Sequence, residues 1–473
     1  MRAFLLTLVA ASSLVAAEPR ALKAGAAAVD VSPVAFPVNM PGGFDANMAE
    51  GVNDPLMSRS LAISDGETTV VLTVVDNLGL PPPILAEAKK IASEKTGIPV
   101  ERMLVSSTHT HSGASVNAEG RPGSDSPAET NRAVLVAGLA ESIVKAHTAM
   151  RPASVASASR ILPHEVFNRR WYLKEGTMQP NPFGGIDKVR MNPPNSPDVL
   201  DRPAGPTDPE ISLLSVRDAK GRPLGLFANY SLHYVGATPR GKISADYYGE
   251  FARLVPQRLG EPRLIAMMSN GTSGDINNSP FGTIRPPREP MEQARIVAQE
   301  AADSVWFALR DVKAHEPKAV LGMRQRTLTL KYRKPTKEQL LYAKAVLAIK
   351  DEAAKQRLPR LAEHYARRTL IAAERKEEAV EVILQAVRIG DFALVGIPFE
   401  TFAEIGLSLK KDSPFARTMV VGLANGRHGY LPTPAQHELG GYETWLGTCH
   451  VQEDASDLIL RELRPMLAEL RGL

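Results

Sequence analysis

The chain has 473 residues, 44% of them apolar and 23% charged, with 56 basic against 52 acidic side chains. This is the composition of a globular protein with a large core, and it excludes disordered, collagen-like and disulfide-scaffold chains. A surplus of four positive charges, spread rather than blocked, leaves no footprint for nucleic acid; the single cysteine, Cys449, excludes an intrachain disulfide and a cysteine-rich zinc cluster.

Arg2 precedes an apolar run, Ala3 to Ala11, broken only by Thr7, and small residues up to Ala17 follow. A basic start, an apolar stretch and a small-residue cut predict a signal peptide over residues 1–17, so the mature chain is expected to be exported, periplasmic or secreted. No other stretch approaches the roughly 18 uninterrupted apolar residues of a membrane span.

Short apolar runs predict buried strands at 69–75, 102–106, 224–230, 264–268, 392–397 and 418–423. Helical spacing marks 82–96, 133–150 and 290–309, and a helix-like tail covers 455–470. Segments 120–126 and 179–209 read as long surface loops. From Pro335 to about Val380 the chain is rich in Ala, Lys, Glu and Arg; Thr336 and Gln339 make a capping-box pattern, and Pro359 divides the stretch. The expectation is an α/β fold: a mixed sheet flanked by helices, with a helical hairpin inserted over about 335–380.

Polar residues collect just past the strand ends. Asp76 follows the first run, Ser107 to Gly113 the second, His233 the third, Ser269 to Asp275 the fourth, Glu400 the fifth, and Asn425, His428 and Tyr430 the sixth. Sites in α/β proteins are built at that edge. Of the ten histidines, His147, His315 and His364 read as surface residues, and His164, His437 and His450 have no clear partner. His109 and His111 differ: on an extended chain alternate residues share a side, and two imidazoles among hydroxyls suit a metal or acid/base chemistry. With His233 and Glu400 they form a nitrogen-and-oxygen donor set for zinc, which activates water and polarises a carbonyl.

These residues carry a resemblance. Ser107-Thr108-His109-Thr110-His111-Ser112-Gly113 is similar to the signature of the neutral/alkaline, non-lysosomal ceramidases. So are Ala24 to Pro33, Met40 to Phe44, Asn168-Arg169, Leu226 to His233, Pro398 to Thr401, Gly422 to Asn425, Tyr430 to Pro434 and Gly441 to Glu443. The resemblance runs in order over most of residues 18–473 and implies one catalytic domain there, without the C-terminal β-sandwich of that family. It implies zinc (Zn2+) held by His109, His233, Glu400 and Tyr430. It places His111, Arg169 and Tyr442 at the scissile group and a metal-activated water on the amide of ceramide or a related N-acyl compound.

Asn277 stands where the family has a serine, in Gly274 to Ser279, so a covalent serine step is impossible at that position. Asn277 is instead a candidate for orienting a polar group of the substrate. An esterase, lactonase or carbohydrate-directed hydrolase on the same scaffold is the second enzyme reading. A non-catalytic binding protein is the third, and it requires an incomplete metal shell, whereas every aligned ligand position is filled.

Overall fold

The strand Thr69–Val75 has two buried faces. Val71 and Val75 enter one core while Val70, Leu72 and Val74 enter another, as the two-residue period of a strand requires. This sandwiching of a sheet between two apolar layers recurs through the fold. A computed structural model describes residues 18–116 and 128–473. The expected signal peptide and the 120–126 loop lie outside the described residues.

The large sheet is built from β1 (Arg20–Asp30), β2 (Met57–Ser64), β3 (Thr69–Val75), β4 (Met103–Ser107), β5 (Arg151–Ile161), β6 (Glu210–Asp218), β7 (Pro223–Tyr230) and β8 (Ile265–Asn270). Their order across the sheet is β8-β7-β6-β5-β1-β2-β3-β4, and Lys318–Ala319 adds a short strand beside the start of β1. Only the outermost pairs, β3 with β4 and β7 with β8, are parallel. Parallel neighbours need a crossover. Helix α1 (Pro82–Thr96) connects the first pair and the helix Asp246–Leu259 the second. Pro82 and Pro83 open α1, and Gly97 closes it in the left-handed conformation.

A second sheet holds β9 (Leu321–Lys331), β10 (Ala379–Ile389), β11 (Phe392–Gly396) and β12 (Arg417–Val421), in that order. The pair β11 and β12 is again parallel, joined through the helix Ala403–Asp412. The two sheets pack face to face. Leu61, Leu72, Leu214 and Phe227 meet Leu321, Val387, Leu394 and Met419. Helices Pro82–Thr96 and Ala128–Thr148, with Asp246–Leu259 and Glu292–Arg310, cover the outer face of the large sheet. Helices Ala403–Asp412 and Ala455–Arg471 cover the outer face of the small one. The mixed sheet flanked by helices is therefore doubled: four layers, helix, sheet, sheet, helix.

The stretch after Pro335 forms helices Lys337–Ala348, Glu352–Gln356 and Ala362–Glu374, and the last two flank Pro359. The capping box at Thr336 is complete, its hydroxyl accepting from Gln339 N while the Gln339 side chain accepts from Thr336 N. Ala343 and Val346 pack against Ala362 and Ala366. Segment 179–209 is mostly loop but carries strands Val189–Met191 and Leu200–Pro203, which pair with Arg170–Leu173. Among the described residues no helix is long and apolar enough to cross a membrane.

Candidate metal centre

Each of the three parallel crossovers delivers polar residues to one place. The chain leaves β4 at Ser107, and the following backbone is tied down on both sides. Thr108 N donates to Val75 O, His109 N to Asn77 O at 2.9 Å, and Asn77 Nδ2 to Ala114 O at 3.0 Å. The alternation expected for His109 and His111 does not hold. The strand has ended, and His109 sits in the left-handed region, with φ of 72°. Both rings reach the same site because this turn aims them there. Such a conformation in a non-glycine residue costs of order 1–3 kcal/mol and persists only where the surroundings impose it.

His109 Nδ1 donates to Leu78 O at 2.6 Å, and His233 Nδ1 donates to Ser273 O at 3.0 Å. A carbonyl can only accept, so each Nδ1 carries the proton and each Nε2 presents a lone pair. The two Nε2 atoms lie 3.1 Å apart. His109 Nε2 is 3.2 Å from Glu400 Oε2, and His233 Nε2 is 4.0 Å from the same oxygen. Glu400 Oε2 is buried and accepts no hydrogen bond among the described residues. Two lone pairs and an orphaned carboxylate oxygen at these separations repel one another unless a cation lies between them. Ligands about 2.0–2.1 Å from a tetrahedral zinc are roughly 3.3 Å apart, so the donor set fits that ion. The carbonyl partners of the two Nδ1 atoms are the supports that metal-binding histidines use.

Burial, together with neighbouring His109, holds the His111 pKa well below its ordinary value. Burial and Arg169 do the same for His233. Both rings are therefore neutral, as ligation or proton acceptance requires.

His111 Nε2 is 3.3 Å from His109 Nε2, and with His233 the three rings form a cluster able to hold a metal. The His111 ring stacks on Tyr234, centroids 3.6 Å apart. Gly42 makes room for it, since a Cβ there would lie 2.5 Å from His111 Cβ. Glu400 and Tyr430 are paired neighbours on two short parallel strands. Burial and Glu400 raise the Tyr430 pKa, so its phenol keeps its proton beside the Glu400 carboxylate.

Arg169 Nη2 donates to Tyr430 Oη at 3.1 Å and to Gly274 O at 2.8 Å, and its Nε donates to Glu443. Arg170 Nη1 donates to the other oxygen of Glu443 at 2.8 Å. Glu443, fully buried, thus bridges and aligns two guanidinium groups. Tyr442 meets Tyr430 edge to face at 5.6 Å. Asn277 stands apart from this group. It lines a neighbouring cleft with Arg169 and His233, and its Nδ2 donates to Asn192 Oδ1 at 2.6 Å.

The structure therefore brings His109, His111, His233, Glu400, Tyr430, Arg169 and Tyr442 together and sets Asn277 at the edge. Sequence reasoning missed Tyr234, Glu443 and His450, the last of which lines the cleft over the histidines. Glu443 stood inside a quoted motif, so its signal was present. Nothing in the local sequence marked Tyr234 or His450, because only the fold carries them to the site. Ser273 contributes its carbonyl, which side-chain reasoning cannot find.

Neither a protein-family profile nor a curated protein matches the sequence. Solved structures match the fold, among them neutral ceramidase from Pseudomonas aeruginosa and a ceramidase complexed with C2. Each is 16% identical with a TM-score of 0.70, over 96% of this chain and 75% of the other. At that identity the likeness speaks for architecture alone, and in architecture the chain is similar to neutral ceramidase.

Proposed function

We propose that the chain is an exported, zinc-dependent hydrolase that cleaves the amide bond of ceramide or a related N-acyl compound. The observation that carries this reading is the convergence of His109 Nε2, His233 Nε2 and the orphaned Glu400 Oε2 within 3.1–4.0 Å. Export rests on the leader pattern of residues 1–17.

His109, His233 and Glu400 hold the metal, with Tyr430 beside Glu400 as the fourth member of the set. A bound zinc ion supplies Lewis acidity, which makes water a nucleophile at neutral pH and polarises a carbonyl. The chain's own groups do the rest. Glu443 and Gly274 O fix Arg169, whose Nη1 makes no hydrogen bond among the described residues and is free to donate to the carbonyl oxygen. His111, neutral and stacked on Tyr234, can take a proton and return it to the departing nitrogen. Tyr442, its phenol raised to about 12 by burial and Glu400, stays protonated and donates a hydrogen bond at the same place. No serine nucleophile is needed, and Asn277 orients a polar group from the adjoining cleft.

The test is metal content and turnover in the same preparations. The purified protein is expected to hold about one zinc per chain, lost in His109→Ala and His233→Ala without unfolding. Glu400→Ala and His233→Ala are expected to abolish hydrolysis, whereas Asn277→Ala only weakens it. A wild type that takes up no metal, or ligand variants that retain turnover, removes the mechanism. A parallel panel of amides, esters and lactones distinguishes an amidase from an esterase or lactonase.

A further inference from the structure

Two clefts share Phe44 and Tyr442 as a common wall, and one of them opens onto the candidate metal centre. One, of about 560 Å³, lies over His109, His111 and Glu400. The other, of about 680 Å³, runs outward between the 178–191 segment and the turn around Pro359. Their chemistries differ. The outer cleft has an apolar wall of Met178, Val189, Met191, Leu358, Leu361 and Trp445. The inner one is polar and carries Arg368 and Arg427.

The charge balance is one-sided. Arg190, Arg357 and Arg360 line the outer cleft, so five arginines face the two spaces. None of them forms an ion pair among the described residues, whereas Arg169 and Arg170 beside them share Glu443. The carboxylates on the walls are Glu400, committed to the histidines, and Asp187, which already accepts from Trp445 Nε1 and Asn181 Nδ2. Arg427 lies across Gly79, where a Cβ would meet its Cδ at 2.5 Å. Arg368 spends one donor, Nη1, on Gly447 O and keeps its others. His450, in the same cleft, has its pKa lowered to about 4 by burial and then by Arg375, Arg368 and Arg427. Unpaired guanidinium groups held together in a concave site repel one another, and they are set to receive a planar or tetrahedral anion.

We propose that the substrate is an anionic N-acyl amide: the acyl chain lies in the outer cleft, and a carboxylate or phosphate on the amine side is held by Arg368 and Arg427. This rests on the amide-hydrolase reading above and narrows it, since ceramide itself carries no charge. Water adds across the C–N bond, releasing a fatty acid and an amine that bears the anion.

Zinc-loaded full-length protein is assayed with N-dodecanoylglycine, O-phospho-N-dodecanoylethanolamine and neutral N-dodecanoylethanolamine, following dodecanoate release. At least one anionic substrate is expected to exceed the neutral one tenfold or more in kcat/KM, and the preferred arm tells carboxylate from phosphate. The ratio is expected to fall toward one in Arg427→Gln and Arg368→Gln, with melting curves showing that the variants fold, and to narrow in 0.5 M salt. A neutral substrate as good as both anionic ones, or variants that leave the ratio intact, overturns the proposal. If no amide is cleaved at all, the hydrolase reading has failed instead. Calorimetric binding of N-dodecanoylglycine against the ethanolamide then decides the anion question, with equal affinities counting against it.

Discussion

Lys89 is a buried amine with one hydrogen-bond partner among the described residues. It is 6% exposed, and its Nζ donates to Asn425 Oδ1 at 2.6 Å. Asn425 is itself left-handed, with φ of 63°, and its Nδ2 donates to Gln385 Oε1, so this chain of hydrogen bonds runs from α1 to the small sheet. Burial lowers the Lys89 pKa to about 7, against a weaker opposing pull from Glu101. The folded chain then holds fewer protons than the unfolded one between about pH 7 and the ordinary lysine value, so stability rises with pH across that window. Below pH 7 the cost of the buried charge is present in full. Each pH unit is worth about 1.4 kcal/mol. Urea unfolding of wild type and Lys89→Met at pH 7 and pH 9 is therefore expected to show wild type gaining roughly 2 kcal/mol on the variant. Parallel pH profiles would mean that Lys89 stays charged in the fold.

At the scale of elements, the small hairpin of Val38–Asn39 with Met48–Ala49 carries the loop that lies against His111. Gly42 is the contact point. An added Cβ would meet the His111 ring and Cβ within about 2.6 Å, whereas one on Gly43 finds its nearest atom 3.8 Å away. Gly42→Ala is expected to displace His111 from its stack on Tyr234, lowering kcat tenfold or more while zinc content is unchanged; Gly43→Ala is expected to stay within twofold. Equal effects would mean that the loop acts by general distortion.

The elements also show what the sequence could reveal. Thr69–Val75 and Pro82–Thr96 were legible residue for residue because both have unbroken apolar patterns. The helix Asp246–Leu259 was not, since Gly249 and Pro256 inside it read as breakers. Long strands such as Arg151–Ile161 and Leu321–Lys331 were missed because they are half-exposed or rich in Ala, Ser, Arg and Thr, which blurs the alternation. The chemistry at His109, His111, His233 and Glu400 was legible as residue types following buried runs. The left-handed turn at His109 and the carbonyls of Leu78 and Ser273 were not, because they are properties of the backbone path.

Across the whole molecule, the donor set joins two separate layers. His109 follows β4, and His233 follows β7, both in the large sheet, while Glu400 and Tyr430 extend from the strand ends of the small one. A cation bound by all of them ties the two sheets together at their shared edge, beside the apolar interface of Leu104, Phe227 and Leu394. Binding to the folded chain alone stabilises it by an amount that grows with the logarithm of metal concentration, about 4 kcal/mol at a thousandfold excess over Kd. For a chain this long each kcal/mol moves the midpoint by about 1 °C. Wild type is accordingly expected to melt several degrees higher in zinc than in a chelator. His233→Ala, which removes a donor from the large sheet, and Glu400→Ala, which removes one from the small sheet, are each expected to lose that shift. Asn277→Ala, which removes none, is expected to keep it. If His233→Ala lost the shift and Glu400→Ala kept it, the metal would sit on the His109, His111 and His233 rings alone, and the sheets would be held together by their apolar faces without it.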